Sequence, residues 1–363
     1  MRVNKNMATT PGNTPVRNVP DDYYPPGCGF WYTLPEGPDA GKKVFYRYSA
    51  HGKGTPENTI VFVHGNPESS YIYRNIIKEI IGRANKPFDI LAMDHIGFGL
   101  SDQASYQMEC LNHADNLLLL IRELDLENVT LVVHDWGGPT GIGAFLREPK
   151  RVSNLVVTNS TVFPMPESGP TYKNYPIRWL GWSTVPLIMP RWFWGSYSSY
   201  AIFRTPAKPL KLITQLLLYL LKAEIGIFSG TEDEKSAKRF FREQFKSKPN
   251  VLCSKRFVRQ SGVWGHGNTF VEPTLGLQDT SPFYGFIQDN IGSVWGPNGQ
   301  NIGVRAVLGR WDALGKDEVI EQWIDNLPQL KGHVKVFEGV GHFIEEARPR
   351  EIADSIIEVT ELL

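Results

Sequence analysis

Apolar residues come in two rhythms along the first half of the chain. Compact runs rich in Val, Ile, Leu and Phe recur at 42–50 (KKVFYRYSA), 58–65 (NTIVFVHG), 88–94 (FDILAMD), 128–135 (NVTLVVHD) and 152–160 (VSNLVVTNS). The later runs are almost continuously apolar, as strands buried on both faces are. Between them lie stretches with helical spacing, most clearly 108–126. Strand and helix in alternation predict a doubly wound, mostly parallel sheet, with sites at the carboxyl ends of its strands.

The rhythm breaks after Ser160. From 163 to 262 the chain is rich in Pro, Trp and Tyr, with helical pieces such as 232–245 and no convincing strand. This predicts a helical cap inserted into an α/β core of 42–162 and 263–363. Alternation resumes with strands at 301–309 and 333–339 and helices near 317–327 and 349–362. Residues 1–41, polar and proline-rich and with no apolar signal core, are expected to be an extended or poorly ordered lead-in. The run LKLITQLLLYLL at 210–221 is too short to span a bilayer and is expected to be a buried or cap helix.

Composition adds exclusions. Lys plus Arg equals Asp plus Glu at 38 each, so no global field draws the chain to nucleic acid or acidic lipid; neither nucleic acid nor membrane is expected as a partner. Three scattered cysteines form neither a disulfide framework nor a metal-ligand pattern, which points to a reducing, cytoplasmic setting.

The chemistry concentrates in LVVHDWGGPTG, 131–141. A strand feeds His134-Asp135-Trp136-Gly137-Gly138 and then a helix, the form of a nucleophile elbow with a carboxylate at its tip. Val133 stands where that motif has its first glycine. As a bland alternative, Asp135 only caps the helix that follows. Three other strand ends join it: His64-Gly65-Asn66-Pro67, Asp312 in VLGRWDALG, and His342 in FEGVGHF. Nucleophile, acid and histidine occur in the chain order of the α/β-hydrolase triad. The loop DHIGFGLSD, 94–102, reads as a structural fingerprint of the same fold.

On these motifs the chain from about residue 42 onward resembles the α/β-hydrolases, and among them the haloalkane dehalogenases. The resemblance implies an eight-stranded sheet with helices on both faces. It implies Asp135 as nucleophile, His342 as base, Asp312 as the acid that orients it, and Asn66 and Trp136 as halide donors whose backbone N–H groups also hold the oxyanion. One branch of the family carries its acid after the strand preceding the cap; Asn159 stands there. Asp-His-Asp with Asn-Trp resembles subfamily III, and Glu167 is a less favoured substitute acid.

A carboxylate suits this chemistry because it is ionised at neutral pH and can displace a leaving group from saturated carbon, giving an ester that water then cleaves. The implied partners are a small apolar halogenated substrate, halide and water, with no metal or organic cofactor. Epoxide hydrolases share the Asp nucleophile but protonate the leaving oxygen with cap tyrosines, for which Tyr172, Tyr175, Tyr197, Tyr200 and Tyr219 are available. A β-lactone-opening enzyme and a catalytically inactive binding protein on the same scaffold stay open as further readings.

Overall fold

The computed structural model describes residues 9–363. Its centre is an eight-stranded sheet: β1 Gly29–Thr33, β2 Lys43–His51, β3 Thr59–Val63, β4 Phe88–Met93, β5 Val129–His134, β6 Val152–Thr158, β7 Gly303–Gly309 and β8 Val334–Phe337, in spatial order 1-2-4-3-5-6-7-8. Only β2 runs against its neighbours, pairing antiparallel with β1 and β4. Every residue of β3, β4 and β5 is buried, which is why their sequences show no alternation.

Helices between the strands cover both faces. They are α1 Arg74–Ile81, α2 Cys110–Glu123 and α3 Gly137–Phe145 in the first half. The segment between β6 and β7 supplies α4 Trp194–Phe203, α5 Pro209–Glu224, α6 Glu232–Glu243, α7 Lys248–Gln260 and α8 Ser281–Trp295. Asp317–Asn326 (α9) and Pro349–Thr360 (α10) complete the core. The α6 N-terminus shows a capping box: Thr231 Oγ1 accepts from Glu234 N and the Glu234 carboxylate accepts from Thr231 N.

Two features depart from the sequence reading. The sheet starts before residue 42. In Gly29–Thr33 the run Phe30-Trp31-Tyr32 pairs with β2, and Tyr23 and Trp31 are buried, so apolar content there outweighs the proline-rich surroundings. The inserted segment also holds a two-residue strand pair, Pro176–Ile177 with Leu180–Gly181, and a hairpin of Thr269–Glu272 with Gly276–Asp279 follows it. Short strands of this kind leave almost no periodic trace.

Register sets the site. Val63 lies opposite Val133 and Val133 opposite Val157, while Thr158 lies opposite Val307 and Leu308 opposite Val336. The strands therefore end together, and the residues just past them emerge along one edge. Chain order reverses between β3 and β5, which opens the crevice where such sheets bind ligands.

Candidate active site

Asp135 follows β5 directly and takes a left-handed backbone, φ 49°, before α3 begins at Gly137. Such a turn is strained for a residue with a side chain and is held by its surroundings. Asp135 N donates to Asn159 O at 3.2 Å, and Ser160 Oγ donates to Asp135 O at 2.6 Å. Two glycines make the approach possible. A Cβ on Gly137 would lie 2.0 Å from Val63 O, and one on Gly65 would lie 2.5 Å from the Asp135 side chain.

The two carboxylate oxygens of Asp135 face different partners. Oδ2 accepts from the Asn66 backbone N–H at 2.7 Å, while Oδ1 lies 3.2 Å from His342 Nε2. On its other side His342 Nδ1 donates to Asp312 Oδ2 at 2.9 Å. All three side chains are buried. Burial opposes charge on His342, but Asp312 and Asp135 on either side overcome it and raise its pKa well above the usual histidine value. Burial would lift the Asp312 pKa; His342, and then Asn159, hold it below the ordinary carboxylate value instead.

Asp312 is saturated with donors. Besides His342 it accepts from Asn159 Nδ2 at 2.8 Å and from the Tyr172 hydroxyl at 3.2 Å. Asn159, the amide at the alternative acid position, thus holds the acid, and it clamps the Gly309 backbone through both ends of its side chain. Glu167 is exposed and lines a surface cleft with Tyr172 and Trp264, with no bond to His342.

Asn66 and Trp136 complete the group. Asn66 Oδ1 accepts from Ser254 Oγ at 2.6 Å, which leaves Nδ2 buried and without a partner. An unpartnered amide donor buried beside the Asp135 carboxylate is a costly arrangement unless a ligand accepts from it. The Trp136 ring stacks on Trp264, with centroids 3.9 Å apart, and Trp264 is fixed in turn by its indole N–H on Thr161 O at 2.8 Å. Tyr172, Ser254 and Trp264 all belong to the segment between β6 and α8, so that segment roofs the strand ends.

Beneath His342 lies a cluster that sequence reasoning missed. His134 bonds Glu68 Oε1 through Nδ1 at 2.7 Å and donates from Nε2 to the His342 carbonyl at 2.9 Å, with Glu345 Oε2 3.5 Å away. Burial works against its charge, but Glu345 and Glu68 push the His134 pKa up to about 9. Burial lifts Glu345 to about 7. The trio has metal-ligand spacing, yet both His134 nitrogens are committed to protein acceptors, and the two glutamates favour the protonated ring. It reads as a hydrogen-bonded ion cluster. Its members, 68, 134 and 345, are too far apart in sequence to signal one another. His64, the other histidine beside the site, donates from Nδ1 to Gly65 O and accepts from His95 N, bracing the loop that carries Asn66.

Comparison with known proteins agrees with this architecture. Residues 58–182 match the family described as alpha/beta hydrolase fold. A cis-3-alkyl-4-alkyloxetan-2-one decarboxylase from Shewanella oneidensis is 39% identical over 127 residues, 34% of this chain and 38% of that protein. A haloalkane dehalogenase from Agrobacterium fabrum is 39% identical over 102 residues, 28% of this chain and 31% of that one. The matched stretches thus span well under half of both relatives. Among solved structures, a haloalkane dehalogenase from Paraglaciecola agarilytica superposes with a TM-score of 0.60 at 19% identity, covering 95% of this chain and 97% of that one. One from Bradyrhizobium elkani gives 0.59 at 19%, covering 92% and 98%. Along its length the chain thus has the α/β-hydrolase fold of these solved structures, and across residues 58–182 it is similar in sequence to the family of that name.

Proposed function

We propose that this chain is a hydrolytic dehalogenase, converting a haloalkane and water to an alcohol, halide and a proton. One observation carries the reading: the two oxygens of Asp135 have separate surroundings. Oδ2 sits on the Asn66 backbone N–H, and Oδ1, free of that donor, faces His342. Oδ1 attacks the carbon bearing the halogen, the carbon–halogen bond breaks with its electron pair leaving on the halide, and an alkyl ester forms on Asp135. Asn66 Nδ2 and the Trp136 indole take up the developing halide charge in a buried setting, where aimed N–H donors act far more strongly than in water.

Esterification neutralises Asp135 and so removes one of the two anions that hold His342 charged. The histidine then becomes a competent base for the water that attacks the Asp135 carbonyl carbon. The oxyanion forms on Oδ2, already within hydrogen-bond distance of Asn66 N, and loss of such a donor typically costs about 3 kcal/mol of barrier. Asp312 keeps the His342 tautomer and stabilises the imidazolium. Collapse returns the carboxylate and releases the alcohol.

The epoxide reading needs an acid over the leaving oxygen, and the tyrosines of the inserted segment are engaged elsewhere. Tyr172 bonds Asp312 on the Nδ1 side of His342, Tyr175 donates to Trp311 O, Tyr200 to Leu212 O, and Tyr219 pairs with Ser199. Tyr197 packs between Trp182 and Trp194. A second reading, opening of a β-lactone with loss of carbon dioxide, is supported by the decarboxylases among the relatives. Incubation with a panel of bromoalkanes, styrene oxide and a cis-dialkyl β-lactone separates the three: free bromide supports dehalogenation, diol alone supports the epoxide reading, and carbon dioxide with alkene alone supports the lactone reading.

A further inference from the structure

The segment that roofs the site carries an unusual outer surface. Among the described residues, ten of the sixteen exposed large apolar side chains fall between 179 and 227. On α5 the leucines 210, 217, 218 and 221 are each more than half exposed, and at 100° per residue they share one arc of about 100°. Ile225 and Ile227 extend this stripe past the helix end, 73% and 54% exposed. The opposite side of the same helix buries Leu212, Leu220 and Ala223. The helix expected at 210–221 is present, and only one of its faces is buried. Trp192, 74% exposed, belongs to the same region, because Ser196 one turn later donates to Glu224 Oε1 at 2.5 Å, at the end of α5. Contiguous exposed apolar area of this kind marks an interaction surface.

Charge indicates what covers it. Between Glu167 and Glu232 the chain has seven Lys and Arg against one acid, Glu224, which is itself paired with Arg242 at 2.9 Å. Lys208, Lys211 and Lys222 are exposed, and Lys211 and Lys222 lie along one edge of the leucine stripe. The nearest acidic run, Glu232 to Glu234, lines a different cleft with Arg74 and Lys78 of α1. The chain's zero net charge thus conceals a locally basic, apolar face. No described helix is long and apolar enough to cross a membrane.

We propose that this face docks on an anionic lipid surface, with α5 lying in the interfacial plane. Its leucines and Ile225 insert among the acyl chains, Trp192 sits at headgroup depth, and Lys208, Lys211 and Lys222 meet the lipid phosphates. The expected absence of a membrane partner followed from net charge, which averages this segment with the rest of the chain. The proposal rests on the surface alone and stands independently of the reaction beneath it.

Co-sedimentation of the full chain with phosphatidylcholine vesicles, with and without phosphatidylserine, tests it. The chain is expected to pellet with phosphatidylserine vesicles, weakly without them, and to dissociate in high salt. Neutralising Lys208, Lys211 or Lys222 to Gln should weaken partitioning about fivefold each. Leu217→Ser/Leu221→Ser, at exposed positions, should abolish binding while melting like the parent. Failure to pellet with either vesicle overturns the proposal. So does a concentration-dependent dimer, abolished by the same double variant, in a chain that ignores vesicles; a second copy would then be the occupant.

Discussion

Ser254 Oγ donates to Asn66 Oδ1 at 2.6 Å, and the Trp194 indole N–H donates to Ser254 Oγ at 3.0 Å. This relay from the inserted segment decides which end of the Asn66 amide is free for a ligand. Ser254→Ala releases the amide to rotate, and a net hydrogen bond of about 1 kcal/mol predicts bromide binding weakened roughly fivefold. Quenching of tryptophan fluorescence by bromide measures it. Unchanged affinity would show that Ser254 does not orient Asn66.

The cluster under His342 should leave its mark on stability. Glu345, raised to about 7, binds its proton more tightly folded than unfolded, so its contribution falls as pH rises from about 4.5 to 7. His134, raised to about 9, contributes fully below about 6.5 and loses that contribution as pH climbs through 9. The buried His64, His95 and His113, whose pKa values are lowered, act in the opposite sense below 6.5, so the parent's profile mixes the two. Glu345→Gln isolates the cluster: relative to the parent it should gain about 1–3 kcal/mol between pH 5 and 7.5. Chemical unfolding at several pH values checks this, and a pH-independent difference would contradict it.

Tyr172 distinguishes positioning from acid catalysis. Its hydroxyl donates to Asp312 Oδ1 and lies 3.3 Å from His342 Nδ1, away from the Nε2 that faces Asp135. Tyr172→Phe is expected to slow ester hydrolysis a few-fold and to leave alkylation of Asp135 unchanged in rapid-quench experiments. A variant that loses the first step instead would return Tyr172 to the role of proton donor to a leaving oxygen.

The charge on His342 separates the two half-reactions by pH. Hydrolysis needs neutral His342, whose pKa is raised, and should fall as pH drops, while alkylation uses no base and should not follow that fall. Removing the base altogether, in His342→Gln, should leave an alkyl adduct on Asp135 detectable by intact-mass spectrometry. Asp312→Asn should slow hydrolysis by orders of magnitude for want of the correct tautomer. An unmodified His342→Gln protein under turnover conditions would count against the ester.

Much of this was legible in the chain because burial on both faces writes itself as unbroken apolar runs. Strands β3 to β5 announce themselves in this way and the others by shorter apolar stretches, and the residues beyond β3, β5, β7 and β8 carry the candidate site. Asn159 and Tyr172 could be named but not placed, since their role depends on which loop the Asp312 carboxylate meets in space. Glu68, His134 and Glu345 come from three distant segments, and no spacing rule links them. For α5, an all-apolar run conceals which face meets water; only packing against its neighbours decides that. The strand Gly29–Thr33 was masked by prolines on either side, though its aromatic triplet is strand-like in itself.

The central claim is that Asp135 itself forms and loses a bond to substrate carbon. A single turnover with a bromoalkane in water enriched in oxygen-18, followed by peptide mass analysis, tests it most directly. Attack of water on the ester carbonyl places the heavy oxygen in the Asp135 carboxylate, while the alcohol leaves with an ordinary oxygen from the protein. Heavy oxygen found in the alcohol alone, with Asp135 unlabelled, would mean that water strikes the substrate carbon directly and that the covalent route is wrong.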